Sequence, residues 1–176
     1  MLFEMKQTSA YKIPFKGLKL GKHQFEYLIE KKFFESYQYT DFLDNTIEII
    51  VDFEKQATIF ELHFTMHGTV RINCDVSGEE FDQPIEGSLK LIVKFGEVYN
   101  NENEQILIIP HNDYELDISQ YIYEMIILNV PVKRIHPEVL TGKLKPAIDK
   151  LEELQHKEEE QIVDPRWDKL KGLIKE

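Results

Sequence analysis

The feature that most restricts how this chain can fold is a run of alternating side chains between residues 68 and 97. Val70, Ile72 and Cys74 are separated by Arg71 and Asn73, and Ile85, Leu89, Leu91, Val93 and Phe95 are set against Glu86, Ser88, Lys90 and Lys94. Successive side chains of a strand face opposite sides, so a period of two predicts strands with one dry face and one wet face. The polar connection at 75–84 contains Gly78, which gives the backbone freedom a reversal needs. It ends in Pro84, which has no amide hydrogen to donate and is expected just before the second strand.

The same period recurs upstream. His23, Phe25, Tyr27 and Ile29 alternate with Lys22, Gln24, Glu26 and Leu28, and Ile47, Ile49, Val51 and Phe53 with Glu48, Ile50, Asp52 and Glu54. A turn at 54–56 then returns the chain through Thr58, Phe60, Leu62, Phe64 and Met66, and Gly68 is expected to end that strand. The short connection favours an antiparallel pair. Tyr11, Ile13 and Phe15 suggest a short strand interrupted by Pro14.

Residues 99–105 read as a surface loop, 106–109 as a strand and 110–113 as a turn. The period then changes. Ile118, Tyr121, Ile122, Met125, Ile126 and Leu128 fall at helical spacing, with Asp117 as N-cap and Pro131 as the stop. Lys133-Arg134 and His136-Pro137 read as an extended connector. Beyond it the chain becomes charged and helix-prone, with a thin stripe of Ile148, Leu151 and Leu154. In a last helix, Asp164 caps, Pro165 takes the first position, and Trp167, Leu170 and Ile174 share a side. A helix this short must dock on something, since isolated helices under about 12–15 residues are marginal in water.

Strands first and helices afterwards, without a strand–helix repeat, predict an α+β fold. Its antiparallel sheet can curl into a partly open barrel, with one central helix and C-terminal helices. The expected division is a β-rich domain at 1–137 and a charged helical segment at 138–176.

The net charge of −11 is concentrated in the middle. Residues 1–45 hold seven Lys/Arg and six Asp/Glu, residues 46–130 four and sixteen, and residues 131–176 ten and ten. Nucleic-acid binding draws on cations that neutralise phosphates, so the middle is a poor RNA surface and a suitable one for a basic protein. Apolar runs do not exceed four residues, far short of the roughly 20 of a membrane-spanning helix. With no secretion signal at the start and a single cysteine, the chain is expected in the reducing cytoplasm.

Reactive constellations are missing from the sequence. There is no G-x-S-x-G elbow, no P-loop and no G-x-G-x-x-G, and nothing in the pattern pairs Cys74 with a histidine. His63 and His67 share a strand face near Cys74, but a structural zinc site takes four thiolate or imidazole ligands. They are read as solvent-facing polar residues and Cys74 as a small hydrophobe at a strand end. The expectation is therefore neither an enzyme nor a binder of metal, cofactor or small-molecule substrate. For RNA, the candidate contact is Arg166, Lys169, Lys171 and Lys175 beside Trp167, where cations meet phosphate and an aromatic stacks on a base. Lys16, Lys19 and Lys22 with Lys31-Lys32 form a second basic candidate.

Several of these stretches resemble the YceD-like family. They are Gly17-Leu18-Lys19-Leu20-Gly21-Lys22-His23 with Phe33-Phe34, and Cys74-Asp75-Val76-Ser77 followed by Val93-Lys94-Phe95-Gly96. Asp117-Ile118 through Glu124 to Leu128 and Pro131 follows, and Asp164-Pro165-Arg166-Trp167 with Leu170 closes the series. Family members often carry Cys-x-x-Cys where Ser77 stands here, and more cysteines before the closing motif, which puts any metal-dependent family activity in doubt. The resemblance implies a factor needed for accumulation of large-subunit ribosomal RNA. It leaves Cys74, Glu124, Asp164 and Pro165 as motif positions without an assigned role. Joined to the charge distribution, it points to a basic ribosomal protein or assembly factor as partner. The alternatives are direct binding of large-subunit ribosomal RNA and an adaptor unconnected with ribosomes.

Overall fold

The alternating stretches form long strands in the computed structural model, which describes residues 11–103 and 105–144. The strands are β1 (Lys12–Ile13), β2 (Gly21–Glu30), β3 (Asp44–Lys55), β4 (Ile59–Asn73), β5 (Glu80–Gly96), β6 (Asn100–Asn103), β7 (Ile106–Pro110) and β8 (Leu116–Asp117). The helices are α1 (Lys31–Ser36), α2 (Ser119–Asn129) and α3 (Pro137–Leu140). Six strands make one sheet in the order β2-β3-β4-β5-β7-β6, and β1 pairs with β8 apart from it. The fold is α+β, and among the described residues the sheet is open, ending on β2 and β6. Residues 11–72 with 82–132 form one unit, and residues 73–81 with 133–144 a second.

Alternation places the core. Ile47, Ile49, Val51 and Phe53 of β3 and Phe60, Leu62, Phe64 and Met66 of β4 are all at most 2 % exposed, whereas Glu48, Asp52, His63 and His67 are open to water. Each fully buried side chain of this size contributes roughly 1.5–3 kcal/mol of apolar transfer, so slipping the register by one residue would invert the set at prohibitive cost. The register that results pairs Ile49 with Met66 and Val51 with Phe64.

Several boundaries differ from those predicted. Gly68 does not end a strand; it lies inside β4, opposite Ile47. A side chain there would run into Thr46 O and stand 2.6 Å from Ile47 Cα, so the residue is glycine because the neighbouring backbone comes close. The first reversal falls later than 54–56: β3 continues to Lys55, and the Gln56 amide donates to Ile59 O across Ala57-Thr58. β5 starts at Glu80, which puts Pro84 within the strand with its ring exposed. Residues expected to form a loop include β6, an exposed edge strand held by backbone pairing to β7. The sheet is also not purely antiparallel, since β7 runs parallel to β5 with Ile92 opposite Ile106.

Two helices depart from expectation as well. Phe33 and Phe34 are buried by α1, where the sequence showed no period. In α2 the N-cap is Ile118, and Asp117 acts from one position earlier, its Oδ1 accepting from Ser119 N at 2.9 Å and Ser119 Oγ at 2.6 Å. Ile122, Met125 and Ile126 are buried as the spacing implies, but Leu128 is 82 % exposed. The extended connector ends in α3, whose N-cap His136 accepts from Glu138 N through Nδ1 at 3.0 Å. The helices predicted between 148 and 174 lie outside the described residues.

Candidate interaction surface

The wet face of the large unit's sheet is built by the same alternation that fills the core. Its carboxylates are Glu26 and Glu30 on β2, Asp44, Glu48, Asp52 and Glu54 on β3, Glu61 on β4, and Asp82 and Glu86 on β5. Among the described residues of this face, four strand cations stand against them: Lys22, Arg71, Lys90 and Lys94. Two of the four are engaged. Arg71 Nε donates to Asp82 Oδ1 at 2.9 Å, and Lys90 Nζ lies 3.4 Å from Glu61 Oε2. The pair with Arg71 holds the Asp82 carboxyl below its usual range, chiefly through the hydrogen bond.

Register puts like charges side by side. Glu54 is directly opposite Glu61, an arrangement that costs stability unless a cation intervenes, and Lys90 beside Glu61 supplies one. Asp52 faces His63, and Glu48 faces His67 with Oε2 and Nε2 3.1 Å apart. The two histidines thus share a strand face and are exposed, as their spacing predicted. Among the described residues, no group of three or more His, Cys, Asp and Glu is arranged to hold a metal ion.

Cys74 sits in the smaller unit and does more than pack. The residue is 3 % exposed, and its sulfur accepts from Ser77 N at 3.4 Å and from His136 N at 3.2 Å. Gly78, at φ 74, lets the chain turn so that its amide donates to Cys74 O at 2.9 Å. Asp75 and Arg134 close the turn reciprocally: Asp75 N donates to Arg134 O and Arg134 N to Asp75 Oδ2, each at 2.8 Å. Burial pushes the Cys74 thiol up. The His136 amide, the Ser77 hydroxyl and amide and the Val76 amide outweigh it and bring the value down to about 7. A buried sulfur whose lone pairs are already engaged is a structural acceptor rather than an exposed nucleophile. The roles of Arg134 and His136 had no local signal, because their partners are about 60 positions away in sequence.

Glu124 is exposed on α2, its Oε1 accepting from Gln120 Nε2 at 2.7 Å. It lines a groove of about 650 Å³ with Tyr121, Met125 and Leu128 of the same helix and Tyr99, Asn101 and Asn103 from the β6 region. The N-terminal basic candidate is dispersed. Lys22 opens β2 while Lys31 and Lys32 follow its last residue, roughly 30 Å away at 3.3 Å per residue. Asp164, Pro165, Arg166, Trp167, Lys169, Lys171 and Lys175 lie outside the described residues.

No helix among the described residues is long and apolar enough to cross a membrane. Comparison with curated proteins and with solved structures finds no match. The sequence pattern described as "Large ribosomal RNA subunit accumulation protein YceD" matches residues 62–174, a span that contains the Cys74 turn, β5 and α2. With well over half its length matched, this chain belongs to the YceD family of large ribosomal RNA subunit accumulation proteins.

Proposed function

We propose that this protein is a non-catalytic assembly factor of the large ribosomal subunit whose acidic sheet face holds a basic ribosomal protein or assembly factor. The observation that carries the reading is the composition of that face: among the described residues, nine carboxylates and four cations on regular strands, with two of the cations paired internally. A surface of one dominant sign steers an oppositely charged partner and excludes like-charged ones, including the RNA backbone. Family membership supplies the ribosomal setting. In this reading the protein works in the cytoplasm without cofactor, membrane or small-molecule substrate.

The test is a pull-down of the tagged full chain from native lysate, with protein and RNA identified, beside gradient sedimentation. A basic large-subunit protein or assembly factor should be retained at low salt and released as salt rises. Absence of large-subunit components from both measurements removes the ribosomal reading and leaves the adaptor. The competing RNA reading rests on the cations flanking Trp167. It requires salt-sensitive RNA retention that collapses on Arg166→Ala with Lys169→Ala.

A further inference from the structure

We propose that the groove between α2 and the β6 edge is a docking site for an extended, arginine- or lysine-bearing peptide segment of the basic partner. The inference rests on the reading just given and adds where a cationic tail of that partner would be held.

The groove's chemistry is distinct from that of its neighbours. Three other concave sites of the large unit each carry lysine: Lys22 and Lys90 in one, Lys32 in the second, Lys16 and Lys55 in the third. Among the described residues, the lining of the α2 groove has no Lys, Arg or His and contains the carboxylates of Asp117 and Glu124. Its helical wall follows from spacing, because positions 121, 124, 125 and 128 lie on one face of α2. That face presents a phenol, a carboxylate and two apolar side chains to one channel. Asn101 and Asn103 of β6 line the same channel, with Asn103 Oδ1 also accepting from Gln105 N at 3.0 Å.

Each part suits an extended cationic chain. The amides can donate to and accept from peptide main chain. Tyr99 and Tyr121 line the groove, and aromatic rings attract guanidinium or ammonium groups, Arg above all. Leu128, 82 % exposed, gives the aliphatic stem of such a residue something to lie against. Burial, Tyr99 and Glu124 together hold the Tyr121 phenol up at about 12, so it remains a protonated donor at any working pH. At about 650 Å³ the groove accommodates a few side chains rather than a folded domain. An RNA strand is disfavoured because its phosphates would meet two carboxylates and, among the described residues, no cation.

The test uses the full chain and a fluorescein-labelled peptide of alternating Arg and Gly, read by anisotropy. Glu124→Lys and Leu128→Ser both alter exposed side chains and leave the fold intact, which circular dichroism verifies. Each should weaken the peptide at least tenfold, while Glu48→Gln with Asp52→Asn on the sheet face should change it less than twofold. An alternating Glu–Gly peptide should not bind. Failure of the Arg–Gly peptide to bind, or equal binding by the groove variants, overturns the inference, as does displacement of the peptide by single-stranded oligouridine. The native pull-down separates the two readings. If Glu124→Lys and Leu128→Ser retain the basic ribosomal protein fully, the groove is wrong and the assembly role stands. If wild type retains none, the assembly role itself fails.

Discussion

The main-chain amide of His136 donates to the sulfur of Cys74 at 3.2 Å, although the two residues are 62 positions apart. That bond, with those from Ser77 and Val76, more than offsets the effect of burial and draws the thiol from 9.0 to about 7. Because the chain has one cysteine, the absorbance near 240 nm between pH 5 and about 9, less that of Cys74→Ala to remove the contribution of ionising tyrosines, should follow this thiolate, with a midpoint near 7. The sign of the linked stability follows. Between about pH 7 and 9 the folded chain has released a proton that the unfolded chain still holds, so stability climbs with pH across that window. The contribution is complete above 9 and gone below 7, and Cys74→Ala should flatten the slope. A midpoint at 8.5 or higher would show that the sulfur does not receive these bonds.

Two glycines should respond to alanine in a fixed order. At Gly68 the added carbon meets Thr46 O and Ile47 Cα, backbone atoms that move only if the β3–β4 ladder opens. Overpacking against such neighbours costs about 3 kcal/mol or more. At Gly87 it meets the side-chain amide of Asn129 at 2.6 Å, which can swing aside at the loss of its 2.8 Å bond to Met125 O. Losing one such bond costs about 1 kcal/mol. Urea midpoints with unchanged m-values should therefore rank Gly68→Ala well below Gly87→Ala; the reverse order refutes the close approach at Gly68.

The contrast shows what could and could not be read in advance. Burial of Ile49, Phe64, Val93 and Ile122 was legible because it recurs at a fixed period, and burial is a property of period. Gly68 was misread because a glycine that marks a break and one that admits a neighbouring backbone look the same in sequence. β6 was invisible because Asn100–Asn103 has no apolar residue and is held by main-chain pairing to β7 and by the Asn100 and Asn103 side chains accepting from nearby amides. The parallel β5–β7 pair depends on the path of the chain, which no local pattern records. The acidic face could be foreseen from the charge of the middle region. The Cys74 turn and the α2 groove could not, since each is assembled from segments far apart in sequence.

Tyr37 and Tyr123 lie flat on one another, centroids 4.3 Å apart and planes 11° apart, joining the end of α1 to α2. An aromatic pair of this kind is worth about 1 kcal/mol beyond the area it buries. A double-mutant cycle with Tyr37→Leu and Tyr123→Leu should return a coupling of about that size in urea unfolding. Additive losses would mean that the rings pack independently, each against its own phenylalanine neighbours.

Charge changes on the sheet face should shift partner binding in both directions. Glu48→Lys or Asp52→Lys removes attraction for a basic partner and adds repulsion, whereas Lys94→Glu removes a cation that makes no ion pair among the described residues of this face. Single exposed charges are worth about 0.2–1 kcal/mol, so each substitution should move affinity only a few-fold. The change should fall mainly on the association rate, because the field acts during approach. Surface plasmon resonance with the basic protein recovered in the pull-down, at two salt concentrations, reads both quantities. Faster association for Lys94→Glu is the telling outcome, since a substitution that merely damaged the surface would not improve binding. If Lys94→Glu leaves the rate unchanged while Glu48→Lys slows it, the partner touches Glu48 locally and the field of the whole face is not what draws it in.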